Sequence, residues 1–254
     1  MLLASAIVLA GLIFWLGRGS PPQSTLTVYC AAGLREPMEA IRKTYEAEHG
    51  TTVSIQYGGS NTLLANLKLS EAADLFLPAD DSYIAAAQQG DLLAETIPVA
   101  RIRPVVIAKK GSLAAIKTLD DLLAKNMRIS MTDPDAAATG KLVRESLQRA
   151  GKWDEFKSHV TVFKGAVTEV AADLQVGAAD VGILWNAMLK QLPDLEEVPL
   201  AELADVTAHV VVGVVAKSKH LGAARQLADY IAARDKGQRI FQEAGFVPAT
   251  EQTR

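Results

Sequence analysis

The sequence predicts an α/β protein folded as two lobes, each a mostly parallel sheet flanked by helices. Three observations predict it. From Leu26 onward, apolar runs of strand length alternate with helix-period segments in the order βαβαβα, the signature of a parallel sheet covered by helices. Four loops of small residues, 31–35, 57–62, 132–140 and 164–168, each follow a predicted strand and lie at or near a helix start. They fall two in each half of the chain, and ligands of open parallel sheets bind beyond the carboxyl ends of the strands. Two small lobes facing across a cleft are therefore expected.

The elements follow in order. Leu26–Ala32 is an apolar strand, and Gly33-Leu34-Arg35-Glu36-Pro37 turns into a helix, with Pro37 in a first turn where its missing N–H costs nothing. Met38, Ile41 and Tyr45 give that helix one apolar face, and His49-Gly50 stops it. Val53–Tyr57 alternates as a strand. Tyr57-Gly58-Gly59-Ser60-Asn61-Thr62 then leads into a helix carrying Leu63, Leu64, Leu67 and Leu69, which Ser60 or Asn61 is expected to cap. Residues 73–79 form a short strand, and Asp80-Asp81-Ser82 caps a helix over 82–89. Strands are expected at 104–108, 127–131, 160–163 and 179–185, and helices at 119–123, 140–150 and from Lys164–Thr168 to Gln175. Residues 210–216 form a long strand without alternation, hence buried on both faces. Helices over 221–234 and 236–244 close the chain, and the acidic run Asp194-Leu195-Glu196-Glu197 reads as solvated surface.

The chain has 254 residues, 49% of them hydrophobic, enough for a sizeable core in one large domain or two lobes. Its formal net charge is −3 with no basic tract, which excludes a nucleic-acid binder of the ordinary kind. Leu2 to Leu16 is almost purely apolar and is followed by the linker Gly-Ser-Pro-Pro-Gln-Ser. It reads as an export signal or a short membrane anchor that places the rest outside the cytoplasmic membrane. Cys30 is the only cysteine, so no disulfide forms within the chain, and the four histidines are scattered without metal-ligand spacing.

The four loops carry chemistry of a particular kind. Gly58-Gly59 lets the backbone approach a ligand closely. A helix start with free N–H groups and a serine hydroxyl is a ready seat for an anion. Arg35 and Lys164 are the only cations at the loop tips. No nucleophile–base pair and no phosphate-loop pattern G-x-x-x-x-G-K-[ST] occurs, so an enzyme and a nucleotide site are both disfavoured. A cofactor-bearing transferase of similar shape would need a reactive Cys and a cluster of arginines, and Cys30 lies inside a strand.

Val28-Tyr29-Cys30-Ala31-Ala32-Gly33-Leu34, Gly59-Ser60-Asn61-Thr62-Leu63 and Ala73-Asp74-Leu75-Phe76-Leu77-Pro78-Ala79-Asp80 resemble three landmarks of the periplasmic molybdate-binding proteins. Asp133-Pro134 with Thr139-Gly140, Val167 with Gly177–Ile183, and strand 210–216 continue the resemblance in the same order, over roughly 25–249. It implies a two-lobed type II periplasmic binding protein fold and the substrate-binding component of a molybdate or tungstate ABC importer. By that resemblance, residues 1–24 precede the fold, 25–100 with 210–254 make one lobe, and 101–209 make the other. It also implies no enzyme activity, no cofactor and no bound metal other than molybdate or tungstate as an oxyanion. The expected partner is the importer's permease, the expected state a monomer, and the expected place the periplasm or cell exterior, with residues 2–16 as the possible anchor.

The family holds its tetrahedral anion with serine hydroxyls and main-chain N–H groups. Carried over residue by residue, its second-loop serine is Ser60 and its valine N–H donor is Val167. The first-loop serine is Gly33 here, Asn61 replaces a second serine, and the third-loop small residue is Thr139. The tyrosine after the Gly-Ile-Val-like strand is Trp185. The scaffold thus matches while several ligand-facing positions differ. A membrane-anchored sensor for another oxyanion or a small organic anion is the alternative.

Overall fold

The computed structural model describes residues 25–70, 72–112 and 116–249. The apolar run Leu2–Leu16 lies outside them. Among the described residues no helix is long and apolar enough to cross a membrane.

The described residues form two sheets. The first lobe holds β1 (Leu26–Ala31), β2 (Val53–Gly58), β3 (Leu75–Leu77), β4 (Leu93–Ile102), β10 (Ala208–Val215) and β11 (Val247–Pro248), in the order β11-β4-β10-β3-β1-β2. The second holds β5 (Pro104–Lys109), β6 (Ile129–Thr132), β7 (Val160–Lys164), β8 (Val181–Trp185) and β9 (Leu195–Val198), in the order β7-β6-β8-β5-β9. In the first, β1 runs parallel to β2 and β3; in the second, β6 runs parallel to β7 and β8. The two parallel trios correspond strand for strand, and their carboxyl ends carry the four small-residue loops.

The expected two-lobed α/β architecture is present, but the sheets are mixed rather than mostly parallel. Strand β10 is antiparallel to both β3 and β4, and β5 is antiparallel to both β8 and β9. These are the segments by which the chain passes between sheets, at Arg103 and again between β9 and β10, so they run against the trios. Sequence reading passed over β4. Pro98 breaks its pattern, and in the sheet it stands opposite Val211, where the β4–β10 register shifts and the missing N–H is tolerated.

The acidic run is corrected too. Leu195–Val198 is an edge strand with Leu195 and Val198 buried. Glu197 takes both guanidinium N–H groups of Arg103 at 2.7 Å, and Glu196 accepts the Gly111 N–H at 2.7 Å. Charged residues on an exposed edge also discourage pairing with a second chain.

The helices are α1 (Arg35–His49), α2 (Ser60–Leu69), α3 (Asp81–Gln89), α4 (Leu119–Leu123), α5 (Ala138–Arg149), α6 (Trp153–His159), α7 (Val167–Gln175), α8 (Leu221–Ala232) and α9 (Gly237–Glu243). Helix α6 was not expected; Trp153 and Phe156 fix it by packing into the core of the second lobe. Gly50 ends α1 with φ +67°, a conformation a side chain resists. Asp80 caps α3, accepting the Ser82 N–H at 3.1 Å. The expected cap of α2 is not formed: Gly59 occupies the cap position and no side chain caps the helix. Ser60 is instead the first helical residue, which turns its hydroxyl away from the N–H groups behind it.

Candidate functional site

The loops after β1, β2, β6 and β7 meet over the ends of the parallel trios and line a small cavity of about 10 Å³. Five of the six residues singled out from the sequence line it: Gly33, Ser60, Thr139, Val167 and Trp185. Alanines complete the wall, among them Ala31, Ala79, Ala137 and Ala138. Sequence reasoning missed these alanines as site residues, because a methyl group carries no chemical signal; only their position after a strand marks them.

Ser60 is buried, and its Oγ accepts the Ala79 N–H at 3.2 Å. One lone pair is thereby used by the protein's own backbone, and the hydroxyl proton stays available to an acceptor in the cavity. Thr139 and Val167 lie in the first turns of α5 and α7, and Ser60 in that of α2. The first N–H groups of a helix have no intrahelical partner. Three helix starts, each with the positive end of its dipole, therefore meet at one small volume.

Gly33 and Trp185 explain each other. A methyl group on Gly33 would lie 2.4 Å from Trp185 Cδ1 and 2.7 Å from Trp185 Nε1. The indole edge fills the space that a side chain at residue 33 would need. Trp185 is 1% exposed and lines the cavity.

Asn61 stands apart from the other five. Its side-chain Nδ2 donates to the Asp135 carbonyl at 2.7 Å, and its backbone N–H donates to the Ala136 carbonyl at 3.0 Å. Both donors reach across to the second lobe and neither faces the cavity. Lys141 of α5 makes a second crossing, donating to Ser82 Oγ at 2.5 Å, while Ser82 in turn donates to Asp80.

The two loop cations are also accounted for. The Arg35 guanidinium sits 3.9 Å over the Tyr57 ring, and Lys164 pairs with Asp173 at 3.0 Å. The hydrogen bond from Ser130, together with Lys164, holds the Asp173 carboxyl below its ordinary range. Among the described residues, no charged side chain lines the cavity. The nearest buried acid, Asp80, is pushed above its usual value by burial. Cys30 is fully buried beneath the site, and that burial drives its thiol strongly towards the protonated form. Among the described residues no group of His, Cys, Asp and Glu could hold a metal ion.

A cavity between two lobes, walled by backbone and small side chains, is a place for a captured solute. Residues 26–247 match the model of the bacterial extracellular solute-binding protein family. The chain belongs to that family. Two curated relatives are similar to it. The ABC transporter substrate-binding lipoprotein of Bacillus subtilis, provisionally so named, is 25% identical over 232 residues, covering 89% of this chain and 88% of that one. The molybdate-binding protein ModA of Escherichia coli is 28% identical over 185 residues, covering 67% and 69%. Among solved structures, the periplasmic molybdate-binding protein of Azotobacter vinelandii superposes with a TM-score of 0.76 over 89% of this chain and all of that one. At 18% identity that likeness speaks for the fold, the type II periplasmic binding protein fold. In this solute-binding protein Gly33, Ser60, Thr139, Val167 and Trp185 meet at the cavity between the two sheets.

Proposed function

We propose that this solute-binding protein captures molybdate or tungstate outside the cytoplasmic membrane and delivers it to the permease of an ABC importer. The observation that carries the reading is the cavity wall. It holds hydrogen-bond donors from Ser60, Trp185, Thr139 and three helix starts and, among the described residues, no charged side chain. A tetrahedral dianion accepts hydrogen bonds only, and bonds to a charged acceptor are about twice as strong as neutral ones. Each helix start adds ~0.3–1 kcal/mol, more when partly buried. A site made of donors disfavours an anion that keeps a proton, because that O–H would face an N–H. Phosphate retains a proton at neutral pH, whereas molybdate, tungstate and sulfate do not. Among these three, the choice falls to the size that the rigid loops admit.

The cleft would close by rotation about the two places where the chain passes between sheets. Arg103 anchors the first: its N–H donates to Asn186 Oδ1 and its carbonyl accepts the Asn186 N–H, both at 3.0 Å. A thermal-shift screen with molybdate, tungstate, sulfate, phosphate and chromate tests the reading. Stabilisation by molybdate and tungstate at micromolar concentration, and not by phosphate, is expected; no shift with any of the five overturns it.

A further inference from the structure

Gly33 and Gly59 are the two lining glycines at which an added methyl group would strike the opposite lobe. On Gly59 it would lie 2.4 Å from the Ala136 carbonyl oxygen and 2.7 Å from that of Gly165, both in second-lobe loops. On Gly33 the obstructing atoms are Trp185 Cδ1 and Nε1, and then Val167 Cγ1 at 3.2 Å, again all in the second lobe. Neither position needs glycine for its backbone. Gly59 has φ −69° and ψ +144°, open to any residue, and Gly33 is not among the glycines with positive φ. Gly140 is a useful contrast: a methyl group there would lie 2.3 Å from the Thr132 carbonyl of its own lobe.

We propose that Gly33 and Gly59 are closure seats: each is glycine so that the second lobe can settle onto the first, and a side chain at either holds the lobes apart while leaving each lobe folded. At Gly59 the seated group is the Ala136 carbonyl, which also receives the Asn61 N–H, so the seat and the clasp act on one atom. At Gly33 the seated group is the indole of Trp185, so seating also sets the position of its N–H. Backbone carbonyls and a buried indole cannot swing aside as the tip of a flexible side chain can. The inference rests on the reading of the protein as a clamp on a small solute, yet its test does not need the solute identified.

The test uses a parent carrying Asn61→Cys and Asp135→Cys, placed on facing lips of the cleft, and a short bismaleimide that joins them when the lobes meet. Cys30 is fully buried and does not compete for the reagent. Cross-linking is timed in the parent and with Gly33→Ala, Gly59→Ala or Gly222→Ala added; nothing lies within 4 Å of a methyl group at Gly222. The expected result is a loss of rate of about tenfold or more for Gly33→Ala and Gly59→Ala, the scale of an overpacked contact. Melting temperatures should stay close to the parent's, and the Gly222→Ala rate should be unchanged. Equal rates in all four proteins overturn the inference. So does a fall in melting temperature that accounts for the lost rate, because the glycines would then serve folding. A parent that never cross-links overturns it too, since the lobes would not meet as described. Molybdate should speed the parent's reaction; a failure of that arm alone counts against the anion and not against the seats.

Discussion

Replacing Ser60 by alanine separates binding from folding at one atom. The Ser60 hydroxyl accepts the Ala79 N–H at 3.2 Å and keeps its proton for the cavity. The substitution leaves one charged acceptor on the anion without a partner, which costs roughly 1–3 kcal/mol of affinity. That is about a 5- to 150-fold rise in Kd at one tenfold step per 1.4 kcal/mol. The freed Ala79 N–H can turn to the anion once it is bound, which draws the loss towards the lower end. Without ligand the same N–H is unpaired beside a cavity, so the ligand-free protein should lose about 1 kcal/mol of stability. Calorimetric titration with molybdate at neutral pH reads the first effect, and urea unfolding without ligand reads the second. Ser60→Thr keeps a hydroxyl and should recover part of the affinity. An unchanged Kd for Ser60→Ala would refute the donor role, and a large stability loss with unchanged Kd would make Ser60 a scaffold residue only.

Trp185→Phe keeps a ring against Gly33 but removes the indole N–H, so titration should show molybdate affinity falling about tenfold, the scale of one hydrogen bond to a charged group. Asp74→Ala should lower the melting temperature while leaving anion affinity intact. Asp74 accepts the Thr27 N–H at 2.7 Å and the Ser218 hydroxyl at 2.6 Å, at the end of β3 away from the cleft, and both donors would be stranded in a buried place. Asp173→Asn should destabilise the protein at neutral pH, and acid titration of both proteins should show that difference vanish. Because the folded carboxyl titrates below its ordinary value of 3.8, its contribution is complete above that value and is lost as pH falls through the lower one.

How much of the site the sequence revealed can be followed residue by residue. Ser60 stood out by its strand–loop–helix junction, while Thr139 and Val167 came from the resemblance to the molybdate-binding proteins; all three line the cavity. Asn61 does not. As a small polar residue beside Ser60 it looked like another ligand donor, but its side chain points across the cleft, and a partner 74 residues away leaves no local trace. Arg35 and Lys164 likewise became readable only once Tyr57 and Asp173 were seen to engage them.

The fold divides in the same way. Alternating strand and helix periods from Leu26 onward, with small residues after the strands, set the α/β class, because hydrophobic periodicity is a property of neighbouring residues. The mixed sheets could not be read off. Whether β10 joins β3 in parallel or antiparallel depends on which lobe the chain has just left, and the bulge that admits Pro98 exists only against Val211. Gly33 and Trp185 carry the same lesson. Singly, one looked like a lost donor and the other an enlarged ring. Packed together, the missing side chain of the first is the room occupied by the second, a relation between distant residues that only tertiary structure can decide.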